Sequence, residues 1–274
     1  MNRNLARAAL VAASLGLSIA ALTGCDDPKS TAASASAAKP SATAPPVASP
    51  PPSAPVATAT ATAAASPPPR KKDVVCTKEP VVTIGDATLE GAVRGQLQKK
   101  DGPIQRADLK KVKTLNLSQA TANNELDPCI FPELTGVKGL YLAPGKLDDI
   151  SPLKTLTQIE SLRLAATAVK DLTPLAGMVK MDRLDLGRTP VSDLSPLAAL
   201  VNLTELQLDE TEVADISPLA KLKKLEILQM KKTRVSDLSP LKETKTLKHL
   251  YIEGSLVKDI SPVQGIQGLK IHEN

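Results

Sequence analysis

The sequence predicts an α/β solenoid, because one motif of constant length recurs through the C-terminal part of the chain. Six prolines lie 22 residues apart, and six leucines follow the same interval. The prolines are Pro152, Pro174, Pro196, Pro218, Pro240 and Pro262, and the leucines are Leu140, Leu162, Leu184, Leu206, Leu228 and Leu250. Each repeat contains the pattern L-x-x-L-x-L, with Val, Ile or Met at some of the leucine positions. At a period of about 20 to 29 residues this pattern is typical of a leucine-rich repeat horseshoe. We expect short parallel strands on its concave face, 3-10 or irregular turns on its convex face, and an N-terminal helical cap.

Each repeat predicts one strand and one helical turn. In the segment Leu162–Leu164 the alternation points both leucines into the core and leaves Arg163 outward. The phrase D-[IL]-[ST]-P-L recurs with the repeats and ends in Val263 in its last copy. It places Ser151 at a helix N-cap with Pro152 at the first helical position. Its aspartate recurs once per repeat, so we expect the aspartates to have a structural role and not a catalytic one.

The first and last predicted strands lie outside the regular period. The strand Leu115–Leu117 begins 25 residues before Leu140, and the strand Leu269–Ile271 begins 19 residues after Leu250. Because terminal repeats of a solenoid are atypical, we expect these two to be its ends, with eight strands in all.

A capping helix is predicted before the first strand. Asp86 is its expected N-cap, Leu89, Val93 and Leu97 share one face, and the helix stops at the sequence Asp-Gly-Pro. This helix, the short strand and the 22-residue repeats ending in D-[IL]-[ST]-P-L resemble bacterial internalin-type leucine-rich repeat proteins from about Val81 onward. The resemblance implies a leucine-rich repeat fold that binds a protein partner on its concave face.

The chain departs from that family at one position of each repeat. Where the family has Asn in L-x-L-x-x-N, this chain has hydroxyl residues at Thr167, Thr189, Thr211, Thr233 and Ser255. A hydroxyl can still bond to backbone groups of the turn, although it has fewer hydrogen-bonding atoms than Asn.

The N-terminus is typical of an export signal. Arg3 and Arg7 precede an apolar run of about fifteen residues, which is shorter than the roughly twenty that span a bilayer. The sequence L-T-G-C ending at Cys25 resembles a bacterial lipobox, which implies cleavage before Cys25 and attachment of lipid to its thiol. We expect residues 1–24 to be a lipoprotein signal peptide, and the protein to be a membrane-anchored lipoprotein on the periplasmic or outer-surface side of the cell envelope.

Three further segments follow the signal peptide. Residues 25–72 comprise the lipidated cysteine and a linker made almost entirely of Ala, Pro, Ser and Thr, which has too few apolar residues to fold. Residues 73–108 form the predicted cap, and residues 109–274 form the leucine-rich repeat domain.

From Asp73 onward the chain carries 27 basic and 27 acidic residues, so its net charge of +5 comes from the preceding segments. With three aromatic residues in the whole chain, we do not expect nucleic-acid binding.

The residues that could carry chemistry are few. Cys76 and Cys129 follow an export signal and form an even pair, which predicts a disulfide between the cap and the first repeat; two free thiols or a metal pair are the alternatives. His249 and His272 have neither a separate nucleophile nor a metal-ligand cluster beside them in the sequence. We therefore expect no enzyme activity, no cofactor and no metal.

The remaining candidates are the outward residues of the strands. Opposite charges recur at 22-residue intervals, pairing Arg163 with Asp185, Arg183 with Glu205, Arg188 and Lys232 with Glu210, and Lys231 with Asp209 and Glu253. Such pairs make much of the concave face self-neutralising. The candidate partner-binding residues are Tyr141, Arg163, Asp185, Gln207, Ile227, Gln229, His249 and Tyr251. The prediction is a monomeric, non-catalytic protein-binding module, and the alternative is a structural envelope spacer with no specific partner.

Overall fold

The computed structural model describes residues 74–120 and 124–273. The expected signal peptide, the lipid site at Cys25 and the linker lie outside the described residues. Among the described helices, none combines the length and the apolar character that crossing a bilayer requires.

Eight parallel strands form one continuous sheet, as predicted. The sheet follows chain order, so that each repeat stacks on the next. Its strands are β3 (Thr114–Leu117), β4 (Gly139–Leu142), β5 (Ser161–Arg163), β6 (Arg183–Asp185), β7 (Glu205–Gln207), β8 (Ile227–Gln229), β9 (His249–Tyr251) and β10 (Lys270–His272). The leucines in the middle of β4 to β9 are aligned with one another and fully buried, and they form the centre of a core that extends from Val82 to Ile266.

The predicted register of the last strand is wrong by two residues. Ile271, and not Leu269, lies opposite Leu250, so the last repeat has 21 residues and the strand runs from Lys270 to His272. A shift of two residues keeps the same side chains on the same face of a strand, so alternation alone cannot distinguish the two registers.

A 3-10 helix lies on the opposite side of the core in each repeat. These helices are Phe131–Glu133, Ser151–Leu153, Thr173–Leu175, Ser195–Ala199, Ser217–Lys221, Ser239–Leu241 and Ser261–Val263. The predictions that Ser151 is an N-cap and that Pro152 is the first helical residue are wrong by one position. Ile150 is the N-cap, its side chain makes no capping bond, and the helix begins at Ser151. The capping acceptor is instead the preceding aspartate: Asp149 Oδ1 accepts the backbone N–H of Ser151 at 2.8 Å, and the same bond recurs at 2.8 Å in the following five repeats.

The hydroxyl residues that replace asparagine hydrogen-bond to backbone carbonyl groups of the turns that follow the strands. Thr167, Thr189, Thr211 and Thr233 are buried, and each hydroxyl donates to the carbonyl oxygen three residues earlier at 2.7 to 2.8 Å. The residue before each of these threonines has a positive φ of 53° to 58°, so every turn contains one left-handed residue. The predicted hydroxyl ladder is confirmed in these four repeats.

The N-terminal cap covers the first strand. Helix α1 (Ala87–Leu97) packs on β3, with Leu89 and Val93 buried. The carboxylate of Asp86 caps the helix as predicted, accepting the N–H groups of Thr88 and Leu89 at 2.7 and 2.9 Å. A short antiparallel pair, β1 (Val81–Val82) and β2 (Ile104–Gln105), and the helix α2 (Arg106–Leu109) complete the cap; the sequence did not predict these three elements.

Candidate binding surface

The predicted concave residues lie side by side along the sheet. Because adjacent strands are in register, the outward side chains form one column from β4 to β9. This column contains Tyr141, Arg163, Asp185, Gln207, Gln229 and Tyr251. In the neighbouring column Ile227 lies directly opposite His249. The concave surface is therefore defined by these two columns.

Ion pairs connect adjacent repeats on this surface. Arg163 Nε lies 3.2 Å from Asp185 Oδ2, and Arg183 Nε lies 4.0 Å from Glu205 Oε2. Each pair is partly exposed, so each contributes at most about 1 kcal/mol to stability. Their larger effect is to neutralise charged side chains that would otherwise be available to a partner.

Two expected contacts among the residues that follow the strands differ in detail. Glu210 pairs with Lys232 at 3.1 Å, while no ion pair joins it to Arg188. The Lys231 ammonium pairs with Glu253 at 3.2 Å, and Asp209 instead accepts the backbone N–H of Lys231 at 2.8 Å. Burial raises the pKa of the Asp209 carboxyl, against the opposing effects of that hydrogen bond and of the Lys231 charge.

A second ladder of polar contacts, which was not predicted from the sequence, lies at the start of the strands. Lys138 pairs with Glu160 at 2.7 Å, and Lys248 pairs with Glu226 at 2.6 Å. Between them, the Thr204 hydroxyl donates to Asp182 Oδ1 at 2.6 Å. These partners are also 22 residues apart, so the same alignment could have found them.

An aromatic cluster occupies the C-terminal end of the concave surface. The ring of His272 stacks on Tyr251 with centroids 4.1 Å apart, and His249 lies beside it, with Nδ1 3.4 Å from His272 Nε2. The ammonium of Lys231 lies 4.8 Å from the centre of the Tyr251 ring, a cation–π contact. With Ile227 opposite His249, we call Ile227, His249, Tyr251 and His272 the C-terminal cluster.

The structure brings together three of the predicted apolar and aromatic candidates and separates the fourth. Ile227, His249 and Tyr251 are neighbours on β8 and β9, whereas Tyr141 lies on β4 and its hydroxyl bonds to Ser161 Oγ at 3.2 Å. His272 was not among the predicted residues, because the register assumed for the last strand did not place it opposite Tyr251.

The cap is joined covalently to the first repeat. A disulfide connects Cys76 and Cys129, whose Cα atoms lie 5.3 Å apart. Arg106 holds the same segment by donating to the carbonyls of Thr77 and Glu79 at 2.7 and 3.0 Å and pairing with Glu133 at 3.1 Å. Within residues 74–120 and 124–273, no group of three or more His, Cys, Asp or Glu side chains is placed to hold a metal ion.

Solved structures share this architecture, although no protein-family model matches the chain and no curated protein matches its sequence. Internalin C2 of Listeria monocytogenes is 27% identical with a TM-score of 0.57, over 69% of this chain and 93% of that one. The fold is a leucine-rich repeat solenoid. The internalin InlF of the same organism is 26% identical with a TM-score of 0.62, over 68% of this chain and 55% of that one.

A leucine-rich repeat protein of Leptospira interrogans extends the likeness beyond Listeria. It is 19% identical with a TM-score of 0.55, over 60% of this chain and 43% of that one, and it shows the fold alone. This leucine-rich repeat chain thus spans nearly all of internalin C2 but about half of InlF. The structural neighbours are internalins and leucine-rich repeat proteins, and a fold of this kind is suited to protein binding.

Proposed function

We propose that this protein is a monomeric, non-catalytic protein-binding module, tethered to the bacterial cell envelope by lipid on Cys25, that holds a protein partner on its concave surface. The leucine-rich repeat fold and its internalin neighbours support the binding role. The lipobox-like sequence before Cys25 supports the anchor.

The C-terminal cluster is the observation that carries the proposal. The charges of the central strands are largely paired with one another, so they offer a partner little unsatisfied charge. Tyr251, His249, His272 and Ile227 are only half-buried and together present rings and an apolar side chain. Aromatic and apolar anchors of this type contribute most of the binding energy in protein interfaces.

The ladders of ion pairs favour a second candidate, a rigid envelope spacer with no specific partner. Lys138 with Glu160 and Lys248 with Glu226 join neighbouring repeats outside the C-terminal cluster, so they stiffen the solenoid whether or not it binds. A spacer would tolerate charged substitutions in the C-terminal cluster without loss of function.

Site-specific photo-crosslinking in the native cell separates the two candidates. A photoreactive residue at Tyr251 should crosslink one protein reproducibly, whereas the same residue at the exposed, convex Val179 should not. Tyr251→Glu combined with Ile227→Glu should abolish crosslinking from a neighbouring probe at Gln229, with the circular dichroism spectrum unchanged. Equal crosslinking from the concave and convex positions would contradict the binding module and leave the spacer.

The anchor needs its own test. The wild-type chain should incorporate radiolabelled fatty acid and partition into the membrane fraction, and Cys25→Ser should abolish both. Incorporation that persists in Cys25→Ser would contradict the assignment of the anchor.

A further inference from the structure

A group of lysines on the convex face lacks the ion pairs that characterise the concave surface. One ends the 3-10 helix Ser217–Lys221, the other four follow the 3-10 helices of two consecutive repeats, and all five are exposed. We call Lys221, Lys223, Lys224, Lys242 and Lys245 the convex lysine patch. Within the described residues, none of the five lies in an ion pair with a carboxylate, in contrast to Lys138, Lys231, Lys232 and Lys248.

The patch is contiguous because hydrogen bonds to neutral oxygen atoms connect its residues to neighbouring repeats. Lys223 Nζ donates to the carbonyl of Glu243 at 3.4 Å, and the Thr246 hydroxyl donates to the carbonyl of Lys223 at 2.9 Å. Lys224 Nζ donates to Asn202 Oδ1 at 2.7 Å. Because the acceptors are neutral, these bonds do not neutralise the ammonium charges. The sole carboxylate within the ranges Lys221–Lys224 and Lys242–Lys245 is that of Glu243.

Two valines continue the patch toward the N-terminus. Val179 and Val201 occupy the position of Lys223 and Lys245 in the two preceding repeats, and each is 47% exposed. Asn202 donates to the carbonyl of Val179 at 2.8 Å, which connects this apolar pair to Lys224. The convex face therefore combines small apolar side chains with a row of unpaired positive charges.

We propose that the convex lysine patch binds the phosphate headgroups of an anionic membrane surface. Lysine is a flexible point charge, which suits mobile headgroups, whereas recognition of one fixed phosphate favours the planar fork of arginine. Each lysine near an anionic bilayer raises the affinity about fivefold. Val179 and Val201 are small, so they contact the headgroup region without deep insertion, and the binding is mainly electrostatic.

Such binding would lay the convex face on the membrane and turn the concave surface outward. This orientation rests on the proposed function, since it leaves the C-terminal cluster open to a partner. The lipid anchor would add to the affinity by holding the patch at high local concentration near the bilayer. The binding of the patch itself does not require the anchor.

Vesicle sedimentation of the full chain carrying Cys25→Ser tests the patch without acylation. The probe is the difference in binding between equimolar phosphatidylglycerol–phosphatidylcholine vesicles and phosphatidylcholine vesicles. The basic N-terminal residues add to this difference equally in the parent chain and in every variant, so the change on substitution isolates the patch. Lys223→Gln, Lys224→Gln, Lys242→Gln and Lys245→Gln together should reduce this difference at least tenfold. The difference should also fall on raising the salt concentration.

The matched control removes four exposed lysines elsewhere on the solenoid: Lys113→Gln, Lys146→Gln, Lys170→Gln and Lys258→Gln. It should keep the difference within about twofold of the parent chain. Equal losses in both variants would overturn the proposal, since net charge and not the patch would then drive binding. Capture of an acidic protein by the patch, without preference for phosphatidylglycerol, would also overturn it. Failure of acylation at Cys25 would leave this result unaffected.

Discussion

The imidazole of His272 lies flat on the phenol ring of Tyr251, with centroids 4.1 Å apart and ring planes 8° from parallel. The two residues are aligned across β9 and β10, so the stack holds the last strand to the sheet. An aromatic pair of this kind contributes about 0.5 to 1.5 kcal/mol beyond its buried area. We expect a double-mutant cycle of Tyr251→Ala and His272→Ala, measured by urea unfolding, to give a coupling energy of about 1 kcal/mol.

The control for this cycle is His272→Ala combined with Tyr141→Ala. Tyr141 lies on β4 and has no contact with β10, so the two effects should add to within about 0.5 kcal/mol. Additivity in the Tyr251 cycle as well would contradict a stabilising stack.

The disulfide between Cys76 and Cys129 closes a separation of 53 residues between the cap and the first repeat. Loop-closure entropy for that length predicts a stabilisation of up to about 4 kcal/mol. Cys76→Ser with Cys129→Ser should lower the free energy of unfolding by up to this amount. Hydrogen exchange should accelerate first in α1, because α1 belongs to the cap that the bridge secures.

The oxidation state is checked separately by mass spectrometry. Neither cysteine should react with an alkylating reagent in the non-reduced protein, and both should react after reduction. Alkylation of both cysteines without reductant would show free thiols and remove the basis for this prediction.

Thr244 places a hydroxyl in the hydrophobic core without a hydrogen-bond partner among the described residues. The equivalent positions of the four preceding repeats are Leu156, Met178, Leu200 and Leu222, all buried. Thr244→Val keeps the shape and removes the unsatisfied polar group, so we expect thermal unfolding to show a stabilisation of about 1 kcal/mol.

Thr233→Val is the matched control for this change. Thr233 is also buried, but its hydroxyl donates to the carbonyl of Met230 at 2.8 Å. The same substitution should therefore destabilise the protein by about 1 kcal/mol, because it leaves that carbonyl with one bond fewer. Equal effects at the two positions would contradict the assignment of an unsatisfied hydroxyl to Thr244.

The periodic part of the fold could be predicted because each repeat restates the same local constraints. The 22-residue interval aligns the core leucines, and it correctly predicts Arg163 and Asp185 as partners. The 22-residue interval does not distinguish Asp149 from Ser151 as the acceptor of the capping hydrogen bond, because an aspartate and a hydroxyl residue recur together in the same phrase. The structure shows that the longer acceptor, the aspartate, reaches the N–H group two residues ahead.

The end of the solenoid was harder to predict because it leaves the period. In the last repeat Gly268 has a φ of +77°, and Lys270–His272 lies two residues later than alternation suggested. That difference places His272 on Tyr251 and completes the C-terminal cluster. The most informative contact of the candidate site therefore depends on loop geometry that no repeat pattern encodes.

Acid should destabilise the fold through aspartates whose pKa is lowered in the folded state. Hydrogen bonds from Lys111 and then Lys99, at 2.8 and 2.6 Å, lower the pKa of the Asp108 carboxyl to about 2 from its ordinary 3.8. Hydrogen bonds from the hydroxyl and then the N–H of the serine two residues ahead lower the pKa of four repeat aspartates. They are Asp193, Asp215, Asp237 and Asp259.

A carboxyl with a lowered folded-state pKa binds its proton more readily when unfolded. Its stabilisation is fully present above about pH 4 and is lost as the pH falls toward about 2. Urea unfolding midpoints should therefore decrease across this interval. Asp215→Asn, which retains an oxygen to accept the Ser217 N–H, should make the decrease shallower.

Asp209 provides a control of opposite sign, because burial raises its pKa. A raised folded-state pKa means that protonation of Asp209 favours the fold as the pH falls. Asp209→Asn removes this gain, so it should make the acid-induced decrease steeper while Asp215→Asn makes it shallower. Parallel curves for the two variants would contradict the assigned pKa directions and point to net charge repulsion as the cause of acid unfolding.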